Sequence, residues 1–364
     1  MEEITHHPQP GRETGEEKTT PRWQRVFTNV LFIIGLAAII AMVVAFKVSP
    51  AQLWHQISGA GWWLLAIMLL WAGLYLLNTL AWRTIILGSG PCTIPLRKLW
   101  QLVVTGYALN SATAVGLVSG EPYRVLQLSR YIGTERASSS VVLFVMMHTY
   151  SHFWFWLTGI ALYLLLSVLG MAPLGSSMAT LLAIGAVMSL GGIWLFLVGY
   201  RKGLVLALIR GLSHIPFLKK RMQWLMERYG ETLTHVDKQI AALHGQRRRN
   251  FYTSFLLEYF GRILQCMEVM LILAIFSGAI HEGPVVLAEL FVRSVVILSF
   301  TSLFANLLGF IPLQLGGREG GFALTVAGLG MTAPLGLSVS IICRLREIAW
   351  DIIGITLMKI SKKG

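Results

Sequence analysis

Arg318 and Glu319 stand side by side in the stretch GFIPLQLGGREGG, residues 309 to 321, flanked by Gly316, Gly317, Gly320 and Gly321, with Pro312 just upstream. Glycine allows a tight turn and close approach of the backbone to a ligand. The free N–H groups that open a helix favour an anion, and an arginine beside them can fork onto phosphate oxygens. An earlier stretch, LNSATAVGLVSGEPYR, has the same order of parts: Asn110, Gly116 and Gly120, then Glu121, Pro122 and Arg124. In the later stretch Asn306 leads through Gly309 and Pro312 to Arg318 and Glu319. Each reads as an asparagine, a glycine turn, then an acid and an arginine opening a new helix.

Other charges lie within apolar runs. Glu258, Arg262 and Gln265 fall on one helical face, with Glu268 at its edge; Arg344, Glu347 and Asp351 form a second stripe, with Arg346 off it. Glu289 and Arg293 form an i,i+4 pair. A charge at mid-bilayer costs about 2.5–3.5 kcal/mol on insertion scales, so such stripes should face each other or water. Glu258 with Arg262, and Glu289 with Arg293, can also pair internally and serve only as structural glue. His148 and His152 are spaced i,i+4. That spacing suits zinc, but the glutamate of H-E-x-x-H is absent. A proton relay through His148, His152, Glu258 and Asp351 is the other chemistry on offer, beside plain polar packing. Arg318 and Glu319 point about 100° apart on a helix and cannot pair well with each other. Glu319 then either meets a cation such as Arg344 or Arg262, or carries a transported proton.

The elements that position these residues are membrane spans. Of 364 residues, 55% are hydrophobic and only 13% are charged. A soluble domain has about 25% charged residues. The runs are continuous rather than alternating, which argues for helices over a β-barrel. Full spans are expected at 26–46, 62–81, 139–169, 177–199, 251–277 and 335–358, after a polar tail at 1–25 that reads as disordered. No signal peptide opens the chain. Cys92, Cys266 and Cys343 are scattered, supporting neither a disulfide framework nor a zinc site.

Segments 99–135 and 285–331 are apolar but interrupted. The positive-inside rule sets their topology. Arg12, Lys18, Arg22 and Arg25 place the N-terminus in the cytoplasm, and Arg83, Arg97, Lys98, Arg130 and Arg136 bracket segment 99–135 on that same side. Residues 200–250 carry eleven Lys/Arg against three acids, a cytoplasmic loop that can also touch anionic lipid heads. Lys359, Lys362 and Lys363 hold the tail 359–364 inside. Both interrupted segments must then enter and leave on one face. The expected fold is an all-α polytopic membrane protein with six full spans and two oppositely oriented re-entrant helical hairpins. They form an inverted repeat, about 62–169 and 251–358, of the kind that builds midplane sites in transporters. The net charge of +13 is mostly orientation signal and does not imply nucleic acid.

At Asn110–Arg124 and Pro312–Glu319 the chain resembles the flippase-like transmembrane domain of lysylphosphatidylglycerol synthases and of many stand-alone bacterial and archaeal membrane proteins. Its marks are an Asn-led, Gly- and Arg-containing stretch and a later P-x-x-x-G-G-x-G-x-R-E-like stretch. Here Arg318 arrives early in GGREGG, and Ala114-Val115 stand where the first motif carries a proline. The resemblance covers about 26–358. It implies a multi-pass protein of the cytoplasmic membrane that moves an anionic or lipid-linked amphiphile between leaflets. The chain's end at MKISKKG leaves no room for an aminoacyl-transferring domain, so that activity is not expected.

The expected function is therefore a lipid flippase, not an enzyme, with no cofactor and no metal. Arg124, Arg318, Arg262 and Arg344 would bind the headgroup, with Asn110, Asn306, Glu121 and Glu319 orienting them. The rival readings are an integral-membrane lipid-modifying enzyme, for which no nucleophile or metal motif is present, and an accessory subunit of a lipid-synthesis system. The partners are membrane lipids, with a homo-oligomer left open.

Overall fold

The computed structural model describes residues 58–112, 120–202, 248–307 and 317–360, with scattered positions at 51, 54 and between 209 and 237. The polar tail, the expected span 26–46 and residues 113–119 and 308–316, where the sequence predicts glycine turns, lie outside the described residues. Every regular element among the described residues is helical: α1 (Trp63–Gly88), α2 (Leu96–Ala112), α3 (Gly120–Ile132), α4 (Thr134–Val168), α5 (Ser176–Lys202), α6 (Arg248–Phe276), a 3-10 turn (Ala279–His281), α7 (Pro284–Leu307), α8 (Gly317–Gly328) and α9 (Ala333–Ile360). The positions described between 209 and 237 are helical too, so the basic segment 200–250 is more than a plain loop.

α1, α4, α5, α6 and α7 are each long and apolar enough to cross a membrane. With the family given below, this defines a multi-pass membrane protein. α9 has 28 residues, about 42 Å at 1.5 Å per residue, and carries the charged stripe of Arg344, Arg346, Glu347 and Asp351.

The two interrupted segments are both antiparallel helix pairs, α2 with α3 and α7 with α8. Their boundaries follow from backbone chemistry. Gly133, at φ 82°, is the single residue between α3 and α4. Gly330, at φ 76°, sits in the turn between α8 and α9, where its N–H and that of Met331 bond back to Ala327 and Val326. Positive φ there excludes most other side chains.

Packing ties the two halves of the chain together. α1 lies along α6, α2 along α9, and α7 along α4. One apolar core gathers Trp82, Leu99, Tyr123 and Phe144 from α1 to α4 with Trp350 and Met358 of α9. A second gathers Val269, Ile297, Phe322 and Ile342 from α6 to α9 with Ile67 of α1 and Tyr163 of α4, and a smaller third joins Phe155 and Trp156 of α4 to Cys266 of α6 and Val295 of α7. Each core thus borrows side chains from the other half. Two glycines allow the close crossings: a Cβ on Gly159 of α4 would strike Ser299 of α7, and one on Gly354 of α9 would sit 3.0 Å from the Val104 carbonyl of α2. Thr105 adds a hydrogen bond of 3.0 Å to the Gly354 carbonyl.

Candidate functional site

α9 is the spine of the site. Its first half packs on α8 and its second half on α2, so the end of α2 and the start of α8 meet beside its middle. Arg318, in the first turn of α8, donates to Glu347 Oε2 at 2.8 Å. Arg344 donates to the same oxygen at 3.2 Å and to Glu319 Oε1 at 3.0 Å. From the other side, Ser111 of α2 places its hydroxyl 2.7 Å from Asp351 Oδ2 and 3.3 Å from Glu347 Oε1. Arg318, Glu319 and Glu347 keep 18–20% of their side-chain surface accessible, whereas Arg344 keeps 4%. The network joins α2 to the consecutive helices α8 and α9, more than 200 positions later in the chain, and is partly accessible at Arg318, Glu319 and Glu347.

One residue earlier on α2, Asn110 does different work. Its side-chain oxygen accepts the Gly120 N–H at 2.8 Å and its amide donates to Glu121 Oε1 at 2.8 Å, capping the start of α3. Arg124 lies below, 3.4 Å from Glu121, donating to the Val103 carbonyl at 3.2 Å and stacked over Tyr107 and Phe144. It is only 1% exposed and fills the space that a side chain at Gly106 would take. Arg124 Nε and Glu121 Oε2 have no hydrogen-bond partner among the described residues. Arg124 is thus a buried brace of the first helix pair, while Arg318 lies in the partly accessible portion of the network. Asn306, the counterpart expected of Asn110, is exposed and bonds to the Ser302 carbonyl of its own helix at 2.7 Å. The two asparagines are not equivalent among the described residues.

The second polar group joins α4 to α6. His148 Nδ1 is 2.8 Å from Glu258 Oε2 and 3.3 Å from the Tyr107 hydroxyl, which in turn accepts from Asn78 at 3.4 Å. Arg262 donates to Ser151 Oγ at 2.8 Å and to the His148 carbonyl at 2.7 Å. The expected internal pairing of Glu258 with Arg262 is therefore not formed. Each turns to α4 instead, because His148 and Ser151 lie one turn apart on the facing helix. His152 is stacked edge-on against His148, and its Nδ1 has no partner among the described residues. No cluster of three metal-ligating side chains occurs among the described residues.

Two further ion pairs brace the bundle. Glu289 and Arg293 pair at 2.8 Å, as their spacing suggested, and Arg293 also reaches the Leu329 carbonyl at 2.7 Å. Arg346 and Glu268 pair bidentately at 2.9 and 3.1 Å. The guanidinium lies 3.6 Å from the Trp71 ring centroid, and the Trp71 N–H donates to the same carboxylate at 2.8 Å. Ser111, Tyr107, Trp71 and Ser151 escaped the sequence reading. An apolar helix carries many such residues, and no local spacing marks these four.

An ionic network enclosed by long apolar helices is the arrangement of a multi-pass membrane protein. Residues 32–353 match the family described as lysylphosphatidylglycerol synthase TM region, and the chain belongs to that family. No curated protein and no solved structure matched the chain.

Proposed function

We propose that the protein moves an anionic, phosphate-bearing lipid between the leaflets of the cytoplasmic membrane, with the headgroup held where the end of α2 and the start of α8 meet beside α9. The observation that carries this reading is the position of Arg318. It opens α8, keeps a fifth of its side chain accessible and shares the Glu347 carboxylate, in the middle of α9, with Ser111 at the end of α2. A charged group at such depth is costly unless it is used. A scaffold needs no such cluster, and no enzymatic step belongs to the proposal.

The reading includes an inverted repeat, with α1–α4 matched to α6–α9, both termini cytoplasmic, and the two helix pairs as re-entrant hairpins opening to opposite sides. The contacts support it. α2 lies on α9 as α7 lies on α4, and Gly159 is separated from Gly354 by the same number of positions as Val104 from Ser299. α8 has 12 residues, about 18 Å, half a bilayer core. Single cysteines at Ser277 and Gly283, in a Cys92→Ser background, should react with an impermeant thiol reagent from outside, and one at Glu135 should not. The reverse labelling would exclude this topology.

Lipid movement is tested in proteoliposomes containing a fluorescent phosphatidylglycerol, by quenching the outer leaflet with dithionite. Wild type should expose inner-leaflet probe faster than protein-free vesicles. Arg318→Ala should bind phosphatidylglycerol at least about tenfold more weakly, since a charge-assisted contact contributes about 1.5–3 kcal/mol. Its fold should hold, because Glu347 keeps Arg344. Unchanged binding in Arg318→Ala would remove the residue from the site.

A further inference from the structure

We propose that Asp351 carries a proton at rest, and that the protein moves protons together with its anionic lipid, Asp351 and Glu347 being the proton-carrying pair. This rests on the lipid-moving function proposed above. Asp351 is 4% exposed, and its hydrogen-bond partner is the Ser111 hydroxyl at 2.7 Å. No lysine, arginine or histidine among the described residues forms an ion pair with it. The cations nearby are already engaged: Arg318 by Glu347, Arg344 by Glu319 and Glu347, Arg346 by Glu268. Tyr75 of α1 is a further titratable group close enough to interact with it.

Charge counting leads to the same place. Arg318 and Arg344 balance Glu319 and Glu347, and Arg346 balances Glu268. Among the described residues, an ionised Asp351 would add one negative charge that no paired cation offsets, a costly state that such a group escapes by taking a proton. Ser111 points the same way. A hydroxyl has one hydrogen to donate, yet Ser111 Oγ stands 2.7 Å from one carboxylate oxygen and 3.3 Å from another. One hydrogen shared between two carboxylates would serve the longer contact poorly; both are satisfied in full when one carboxyl is protonated and donates to Ser111 while Ser111 donates to the other.

This arrangement supplies the coupling. A phosphate arriving at Arg318 competes with Glu347 for the guanidinium. The Asp351 proton passes to Ser111 Oγ as the Ser111 hydrogen passes to Glu347 Oε1. Glu347, now neutral, releases Arg318 to the phosphate. Asp351 takes a replacement proton from the bulk solution, relayed by water that enters with the headgroup. One negative headgroup and one proton enter together, so the net charge of the site is unchanged, and release on the other side reverses each transfer.

The test uses the whole protein in phosphatidylcholine vesicles with fluorescent phosphatidylglycerol and an internal pH dye. Wild-type lipid movement should quicken as pH falls, by up to about tenfold per unit for a single proton, and a lipid gradient should drive proton entry. Asp351→Asn, whatever its absolute rate, should show no pH dependence and no proton entry. Ser111→Ala should slow proton entry while its melting temperature stays near that of wild type. In infrared spectra wild type should carry a carboxylic-acid carbonyl band that Asp351→Asn lacks. Lipid movement that depends on sodium and brings no protons would overturn the proposal, as would a pH dependence that survives in Asp351→Asn. Wild type that moves lipid with no proton entry overturns this inference alone. Wild type that moves no lipid overturns the parent reading and this one with it.

Discussion

An Arg346→Ala variant should unfold far below the wild-type temperature, with a loss of about 3–5 kcal/mol. The guanidinium holds both oxygens of Glu268 and lies on Trp71, all within the interior between α1, α6 and α9. Removing it strands the Glu268 carboxylate with only the Trp71 N–H. The cation–π contact, about 2 kcal/mol when desolvated, is lost as well. Most of the penalty comes from the orphaned charge rather than from the net worth of the pair. An Arg346→Met, Glu268→Met double variant should therefore recover much of the stability that Arg346→Ala loses. Thermal melting of detergent-solubilised protein measures both. A single variant that melts within a degree or two of wild type would show that Glu268 finds another partner.

The second large effect is expected at Arg124. Sequence spacing paired it with Arg318 as a headgroup ligand, but the two sit in opposite environments. Arg124→Ala removes the bond to Val103 and the contacts with Tyr107 and Phe144, and leaves Glu121 with Asn110 alone. A loss of about 3 kcal/mol follows from the unpaired carboxylate and the emptied volume. Arg124→Lys should not restore it, since an ammonium cannot span Glu121 and the Val103 carbonyl as a planar fork does. In Arg318→Ala the deficit should be in lipid binding instead, with melting nearly unchanged. Equal melting temperatures for Arg124→Ala and wild type would return Arg124 to the list of ligands.

Helix positions were legible because they depend on local composition. The run expected at 335–358 is α9 at Ala333–Ile360, and that expected at 139–169 falls on α4 at Thr134–Val168. Periodicity also found the stripe of Arg344, Glu347 and Asp351, and the spacing of Glu289 and Arg293 gave their pair. Partner choice across the bundle was not legible. Arg346 lies off the stripe on its own helix, and only the crossing of α9 with α6 aims it at Glu268. Glu258 and Arg262 satisfy the i,i+4 rule yet pair outward, because α4 offers His148 and Ser151. Arg124 and Arg318 occupy similar places in similar motifs, but the depth of each in its helix differs. Arg124 is the fifth residue of α3 and Arg318 the second of α8. A position near the cap leaves a side chain at the tip, and one turn further carries it under the neighbouring helix.

The contact of α2 with α9 has a consequence for synthesis. Ser111 meets Asp351, and Thr105 meets the Gly354 carbonyl, across 240 and 249 positions of the chain. A ribosome adding about 5–20 residues per second needs on the order of tens of seconds to cover that distance. During that interval α2 is already made, and its polar end has neither Glu347 nor Asp351 to bond. Asn110 finds Gly120 and Glu121 within a dozen residues, but the nascent protein passes through a stage in which Ser111 must be sheltered by the insertion machinery or by water at the interface. A chain cut short before α9 would remain in that state and become a natural target for membrane proteases.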